Sequence, residues 1–444
     1  MQSTHKNGYP PRSYAWLVVI ILLLANICSF VDRMILTLLV EPIKADLSLS
    51  DTQIGVLHGF AFAAFYALMG LPIGHFADRV HRRNVIVAGI ALWSVMTALC
   101  GMARNFLTLF LARMGTGIGE ATFNPCAYPL LADYFPRSSR SKAMSLVAVG
   151  PYFGGGLSFV LGGLVLGWVT EMGMVSLPFI GEVKPWQMTF FIVGMPGILI
   201  SLLVWMIVRE PRRREKIAVG NNGRSSLNWG DTFRFVHRHL IVYMLITAGA
   251  ALNILVAYAV NGWTPTLFVR VYEWEAARIG TVFGLIYMTV GSCGTFIGGV
   301  IGDMLYRKGH LDAYIRAMLI LIPGAVLIAF MPVMSTPTAA LLCLSLGLLC
   351  LSTGVGLPIT ALTQITPNEF RGQVLAMYFF CLYIFGVGVG PVAVALLTDF
   401  LFQDTAAIQY SLGLVAAVAI PLNVATLWFC LKPYARMLKS FQSA

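Results

Sequence analysis

Four ionisable side chains interrupt otherwise apolar stretches of this sequence. Asp32 and Arg33 lie in one stretch, and Arg113 and Glu120 lie in another. A charge placed at the centre of an apolar, membrane-like medium costs about 2.5–3.5 kcal/mol or more, so these groups are expected to face an interior cavity and to pair. Arg113 and Glu120 are seven residues apart and share one helix face. This set suggests proton exchange and anion binding.

The four charges sum to zero when both carboxylates are ionised. Protonating either carboxylate leaves a net positive charge in the cavity, which predicts Asp32 and Glu120 as proton-coupling groups. Arg33 or Arg113 would then be released to engage the anionic headgroup of a substrate. Substrate and proton would therefore compete. The alternative is a static network of buried ion pairs that fixes the two helices against each other. His58 either relays protons or donates to a neighbouring carbonyl.

Uncharged polar side chains are further substrate-binding candidates. Asn26 and Ser29 form a polar stripe with Arg33. The others are Asn124 in the first half of the chain, and Asn253, Tyr258 and Thr363 in the second half. The second half has no comparable ion cluster, so the expected cavity is charged on one wall and apolar on the other. Such a cavity suits an amphipathic molecule with an anionic or zwitterionic head.

The composition requires that these residues be positioned by helices in a bilayer. Of 444 residues, 58% are hydrophobic and 11% are charged, and the mean hydropathy is +0.79, whereas a soluble domain has about 25% charged residues. About 20 apolar residues cross the hydrocarbon. Twelve spans are predicted, at 16–40, 52–73, 84–103, 105–131, 143–169, 187–208, 240–262, 279–301, 313–333, 337–362, 373–398 and 408–431.

The net charge of +11 is concentrated in alternate connections between the spans. Basic clusters include Arg82 and Arg83, then Arg212, Arg213 and Arg214, and then Arg307 and Lys308. The positive-inside rule places these connections and both termini in the cytoplasm. The pattern reflects membrane topology and does not indicate nucleic-acid binding.

The chain is a duplication. Residues 209–239 form a basic segment without an apolar period, which predicts a linker between an N-terminal bundle at 1–208 and a C-terminal bundle at 240–444. Gly74, Asp78 and Arg82 follow the second span, and Gly299, Asp303 and Arg307 follow the eighth at a constant offset of 225 residues. Six spans separate the copies, so the repeats are parallel in the membrane.

Three motifs carry a family resemblance. They are Gly74-x-x-x-Asp78-Arg79-x-x-Arg82-Arg83, Arg113-x-x-x-Gly117 and Gly150-Pro151-x-x-Gly154-Gly155. The first resembles the loop 2-3 signature of the major facilitator superfamily, with His81 where that signature has Gly. The second resembles its fourth-helix Arg motif, and the third its Gly-Pro antiporter motif. The resemblance implies an all-α major facilitator fold of two pseudo-symmetric six-helix bundles, acting without cofactor or metal.

Within the superfamily, the sequence is similar to the Spinster branch. Asp32-Arg33, Arg113 and Gly-x-Gly-x-Gly-Glu120 carry this similarity, and animal members of the branch export sphingosine-1-phosphate or lysophospholipids. The resemblance implies a monomeric, proton-coupled exporter of a lipid-like or organic-anion substrate in the cell membrane. Proton symport, facilitated transport and a non-translocating lipid receptor remain alternatives. An enzyme is not expected, because no nucleophile or metal-binding motif accompanies the buried acids.

Gating residues are predicted at the ends and along the faces of particular spans. Asp78 and Asp303 could latch the predicted cytoplasmic side through a helix N-terminus and nearby basic groups, including Arg79, Arg82, Arg83 and Arg307. The alternative is a solvated turn. Small residues of the fifth span, Gly150, Pro151, Gly154, Gly155, Gly156, Gly162 and Gly163, indicate close helix approach, either as static packing or as a sliding interface.

Overall fold

The computed structural model of the protein describes residues 9–77, 79–136, 150–178, 181–211 and 229–442, together with residues 139, 143, 144, 146 and 147. Within this described part, eleven helices are long and apolar enough to cross a membrane. They overlap eleven of the twelve predicted spans, which confirms a helical membrane protein. The total of twelve spans and the location of the termini stay predictions.

Nine helices and one small hairpin make up the first half of the described chain. They are α1 (Arg12–Leu38), α2 (Val40–Leu47), α3 (Asp51–His58), α4 (Phe60–Ala77), α5 (Arg82–Cys100), α6 (Phe106–Glu120), α7 (Phe123–Tyr134), α8 (Gly150–Met172), the antiparallel strands β1 (Val175–Leu177) and β2 (Gly181–Val183), and α9 (Pro185–Ile207).

Eleven α-helices, extended by short π- and 3-10-helical turns, make up the described second half. The helices are α10 (Trp229–Arg238), α11 (Leu240–Tyr272), α12 (Ala276–Ile286), α13 (Ser292–Arg307), α14 (Ala313–Leu321), α15 (Leu327–Phe330), α16 (Pro337–Ser352), α17 (Leu357–Ile365), α18 (Asn368–Cys381), α19 (Val389–Leu396) and α20 (Ile408–Gln442). The π-helical turns are Tyr287–Gly291, Leu382–Gly388 and Leu397–Phe402, and the 3-10 turns are Ile322–Val326, Met331–Val333 and Thr405–Ala407.

The predicted span 105–131 contains two shorter helices, α6 and α7. Between them, the backbone N–H of Thr122 donates to the carbonyl of Gly119 at 3.2 Å. Pro125 has no N–H to offer to the carbonyl of Ala121, so the regular helical ladder is interrupted here. Glu120 is the last residue of α6 and therefore lies at a break in the fourth predicted span.

The first compact unit comprises the described residues within 1–216 and 273–288. In it, α5 packs along α6 and α9, and α1 packs along α8. Trp93 is fully buried in the core of this unit. A Cβ on Gly119 would lie 2.8 Å from the Cβ of Trp93, so only glycine allows this approach. The helix that carries Arg113 and Glu120 is thereby packed tightly against α5.

Helices α8 and α12 approach closely through glycine within the first unit. A Cβ on Gly156 would lie 2.5 Å from the carbonyl oxygen of Gly284, and one on Gly163 would lie 2.8 Å from that of Ala277. The rings of Phe159 and Phe283 are 4.8 Å apart in the same interface. The expected close approach of another backbone to this helix is confirmed, and its partner is α12.

The second compact unit comprises the described residues within 217–272 and 289–444. Its most extensive helix packing, among the described residues, is between α11 and α20. The indole of Trp263 donates to the carbonyl of Pro391 at 2.8 Å, and a Cβ on Gly390 would lie 2.4 Å from the carbonyl oxygen of Leu255. The absence of a side chain at Gly390 therefore lets α19 lie close against α11.

The predicted linker at 209–239 contains a helix at its C-terminal end. Residues 212–228 of this segment lie outside the described residues, whereas α10 is a helix. Thr232 and Val236, four residues apart, are buried, and Phe235 stacks on Phe370 at a ring distance of 4.8 Å. A short buried face of this kind is difficult to detect in a basic segment.

Candidate substrate and proton site

Arg33 and Glu120 form a buried ion pair between α1 and α6. The Nε of Arg33 donates to Oε2 of Glu120 at 3.2 Å, and a terminal guanidinium nitrogen makes a second contact with the same oxygen. Both side chains are almost completely buried. The expected meeting of charges from the first and fourth predicted spans is therefore confirmed for this pair, and Arg33 holds a carboxylate in the way that it would hold an anionic ligand.

Arg113 contacts the backbone of α1 through its guanidinium group. Its two terminal nitrogens donate to the carbonyl oxygens of Asp32 and Arg33, both at 3.3 Å. Each helix carbonyl has a second lone pair that can accept such a bond. Arg113 therefore fixes the position of α1 at this point.

Asp32 is fully buried, with 0% of its surface exposed. The hydroxyl of Thr97 on α5 approaches its carboxyl group, but neither carboxylate oxygen accepts a hydrogen bond of good geometry from the described residues. The Oε1 of Glu120 and the Nε of Arg113 are likewise buried without such a partner in the described chain. The cluster thus holds several polar atoms that a proton or a ligand can engage.

Three aromatic rings surround the guanidinium group of Arg33. Its Cζ lies 4.3 Å from the ring centre of Phe62, 4.8 Å from that of Phe30 and 5.7 Å from that of Tyr66. Faces of aromatic rings attract cations at such distances. None of these aromatic residues was predicted from the sequence, although Phe62 and Tyr66 are four residues apart and so share a face of α4.

The remaining candidates of the first half differ in what they contact. Asn124 is exposed and donates to the hydroxyl of Tyr66 at 3.0 Å, which connects it to the aromatic group beside Arg33. Asn26 donates to the carbonyl of Val147 at 2.9 Å, and the hydroxyl of Ser29 bonds the carbonyl of Asn26. Asn26 and Ser29 are thus engaged with backbone groups, while Asn124 bonds a side chain of the aromatic group.

The candidates of the second half belong to the second unit. The amide of Asn253 donates to the carbonyl of Leu351 at 3.1 Å and is buried, so it joins α11 to α16. The hydroxyl of Thr363 bonds the carbonyl of Thr360 in its own helix. Tyr258 is half-buried on α11.

Arg82 is the centre of a second buried ion cluster. The cluster lies in the first unit, at the end that the positive-inside rule predicts to face the cytoplasm. It donates to Asp133 at 2.5 Å and to Glu210 at 3.0 Å. The backbone N–H of Arg83 also donates to Glu210, at 2.9 Å. These contacts join the start of α5 to the end of α7 and to the segment after α9. Asp133 and Glu210 were missed because neither belongs to a local motif.

The other predicted gating residues have different surroundings. Arg79 contacts His75 at 3.0 Å, whereas Asp78 lies outside the described residues. Asp303 is exposed and accepts a hydrogen bond from Tyr314 at 3.2 Å, and Arg307 is exposed. Arg82 is buried whereas Arg307 is exposed. The corresponding arginines of the two copies of the motif therefore lie in different environments.

The glycine motif of the fifth predicted span lies at the start of α8. Gly150 and Pro151 are its first two residues. A Cβ on Gly154 would lie 3.2 Å from the Cα of Ile27 on α1. The small residue at this position therefore allows α8 to pack closely against the helix that carries Asp32.

Comparison with known proteins identifies the family. The profile of the Major Facilitator Superfamily matches residues 22–391. The chain belongs to this superfamily. It is therefore a transporter-family protein with the major facilitator fold and an integral, multi-pass protein of the cell membrane.

Individual relatives give finer similarities. The chain is 28% identical to an MFS-type efflux pump of Mycolicibacterium smegmatis, over 94% of this chain and 92% of that protein. It is 25% identical to a probable L-galactonate transporter of Escherichia coli, over 75% of this chain and 72% of that protein.

A solved structure is similar over nearly the whole chain. It is a bacterial homologue of the human lysosomal transporter Spinster, determined in an inward-facing and unoccupied conformation, with 25% identity, a TM-score of 0.78 and coverage of 98% of both chains. The resemblance to the Spinster branch that Asp32, Arg33, Arg113 and Glu120 predicted is confirmed.

Proposed function

We propose that this protein is a secondary transporter that exports an amphipathic anion by alternating access, in exchange for protons. The observation that carries the proposal is the buried ion pair between Arg33 and Glu120. Arg33 is a strong anion-binding group, and its partner is a carboxyl group that can take up a proton. Proton binding and anion binding at this pair therefore compete for the same guanidinium group.

The aromatic group supports an exchange of partners at Arg33. When Glu120 is protonated, the guanidinium group loses its counter-charge but keeps its contacts with Phe30, Phe62 and Tyr66. An anionic headgroup can then replace Glu120 without a large movement of Arg33. Release of the proton restores the carboxylate, which displaces the anion.

Asp32 is the second proton-coupling group of the proposal. A buried carboxyl group without a hydrogen-bonded partner is far less costly with a proton than without one. Since Arg113 bonds the backbone carbonyl of Asp32, a change of charge on this carboxyl group would act directly on the contact between α1 and α6. The alternative of a static network predicts no such coupling.

The proposed substrate has an anionic head and a hydrocarbon tail, as in lysophospholipids and sphingoid phosphates. Support comes from the cationic Arg33 amid aromatic rings and from similarity to the Spinster homologue. The protein acts as a monomer and does no covalent chemistry on its substrate. The proposed gate is the Arg82 cluster together with the glycine contacts of α8.

A small organic anion is the second candidate substrate. It is favoured by the similarity to the L-galactonate transporter and by the fact that a guanidinium group binds any carboxylate through two parallel hydrogen bonds. This substrate would lack a tail, so removing apolar surface from a test compound separates the two candidates.

Flux into sealed proteoliposomes under an imposed pH gradient tests the proposal. A lysophospholipid, a sphingoid phosphate and L-galactonate are offered in turn. For the true substrate, we expect flux to reverse with the gradient in the wild type and to become independent of pH in Glu120→Gln. Glu171→Gln, at an exposed acid near the end of α8, is the matched control and should behave as the wild type.

Two outcomes would contradict the proposal. Full pH-driven transport in both Asp32→Asn and Glu120→Gln would show that neither carboxyl group couples protons. Thermal stabilisation by a lipid without any flux would instead indicate a receptor.

A further inference from the structure

A groove with a volume of about 680 Å³ lies between α4 and α5 in the first unit, outside the charged cluster. Both helices pack against α6 and α7 but make few contacts with each other. Ile118, in the last turn of α6, and Thr122, at the break between α6 and α7, line the groove together with Gly89. A Cβ on Gly89 would lie 2.8 Å from the Cβ of Thr122, so glycine lets α5 pack closely against this break at the floor of the groove.

The walls of this groove are apolar and partly exposed. Ile73 and Phe76 line it from α4, and Ala88 and Leu92 line it from α5. Phe76 is 57% exposed. From His81 to Leu92, the helix rises roughly 16 Å, about half of the ~30 Å hydrocarbon thickness. The groove therefore extends across one leaflet, the one that the positive-inside rule predicts to be cytoplasmic.

The mouth of the groove is basic. Arg79 and His81 line it and are exposed, and His75 contacts Arg79. Its lining contains no acidic residue among the described residues; Asp78 lies outside the described part. Nearby acids at the same end are engaged elsewhere, because Asp133 and Glu210 both bind Arg82.

We propose that this groove binds one anionic phospholipid of the cytoplasmic leaflet. An acyl chain lies along Phe76 and Leu92, and the phosphate group meets Arg79 and His81. A free anion is disfavoured as the occupant because the apolar walls continue far beyond the basic mouth. The bound lipid fills the space between α4 and α5 and so stabilises the first unit. The proposal uses none of the residues of the ion pair, so it can fail or succeed independently of the transport cycle.

Lipid titration of the full-length, detergent-solubilised protein, followed by native mass spectrometry, tests the site. Dioleoyl phosphatidylglycerol is compared with dioleoyl phosphatidylcholine. We expect the anionic lipid to bind more tightly than phosphatidylcholine, by about fivefold for each basic residue engaged. This factor corresponds to the contribution of one Arg near an anionic surface. Equal affinity for the two lipids would overturn the proposal.

Paired variants locate the bound lipid. Ala88→Trp fills the groove and should abolish the preference for the anionic lipid, whereas Val95→Trp, at an exposed position further along α5 that does not line the groove, should retain it. Arg79→Gln should lower the affinity for the anionic lipid about fivefold, and Arg104→Gln, at an exposed arginine beyond the other end of α5, should not. Retention of the full preference in both Ala88→Trp and Arg79→Gln would place the lipid elsewhere and overturn the proposal.

Competition distinguishes a lipid from a soluble anion. Inorganic phosphate and glycerol phosphate, added at the concentration of the lipid, should displace little of it. If either displaces the lipid completely, the site is one for a soluble anion and the proposal is wrong.

Discussion

Arg82 and Asp133, which are 51 residues apart in the chain, form a buried ion pair at 2.5 Å. The pair joins the start of α5 to the end of α7, and Glu210 completes it from beyond α9. Arg307 occupies the same place in the second copy of the motif but is exposed. The duplicated motif therefore has a buried ionic role in one copy and a solvated position in the other.

This difference predicts unequal costs for the same substitution. Arg82→Ala leaves two carboxylates without a counter-charge, and the free energy of unfolding should fall by about 3–5 kcal/mol. Arg307→Ala should change it by less than about 0.5 kcal/mol. Thermal unfolding in detergent measures both. An equal loss of stability in the two variants would show that the buried ion pairs of Arg82 contribute nothing to the free energy of unfolding.

The two carboxyl groups of the transport site are predicted to respond differently to neutralisation. Asp32→Asn should leave thermal stability unchanged or raised, because no hydrogen-bonded partner of good geometry is lost. Glu120→Gln should lower stability by about 3–5 kcal/mol, because it leaves the buried guanidinium group of Arg33 without its counter-charge.

Stability and transport together test the role of Asp32. In Asp32→Asn, a stable protein with pH-independent transport would support proton coupling. A static network instead requires that this variant either lose stability or keep wild-type coupling.

The aromatic contacts of Arg33 are predicted to support anion binding. Phe62→Leu removes the closest ring and should weaken binding of an anionic substrate about 5- to 30-fold, as expected for roughly 1–2 kcal/mol from a desolvated cation–π contact. Phe65→Leu is the matched control, because Phe65 lies on the same helix but packs on Phe110. Equilibrium binding measures both affinities, and an equal loss in the two variants would argue against a specific role of Phe62.

The glycine contact between α8 and α12 is predicted to be intolerant of one methyl group. In Gly156→Ala, the new Cβ would lie 2.5 Å from the carbonyl oxygen of Gly284, so stability should fall by about 1–3 kcal/mol. Gly299→Ala adds a methyl group with no atom within 4 Å and should be neutral or stabilising by up to about 1 kcal/mol. Thermal unfolding compares the two, and a tolerated Gly156→Ala would mean that the helices separate without cost.

Much of the architecture could be predicted from the amino-acid sequence because the bilayer acts on each segment separately. Length and hydropathy of a window decide whether it spans, and for this reason eleven predicted spans overlap membrane-length helices in the described part of the chain. Asp32, Arg33, Arg113 and Glu120 could be recognised for a related reason, since a charge in an apolar run is costly unless it is paired.

Only the tertiary structure decided which groups meet. Arg113 bonds backbone carbonyls of α1, Arg33 binds Glu120, and Arg82 binds acids that belong to no motif. Such pairings depend on the rotation and depth of helices that are many tens of residues apart in the chain, and local hydropathy contains no information on either quantity. The aromatic rings around Arg33 and the groove between α4 and α5 arise in the same way, from side chains that become neighbours only when the helices pack.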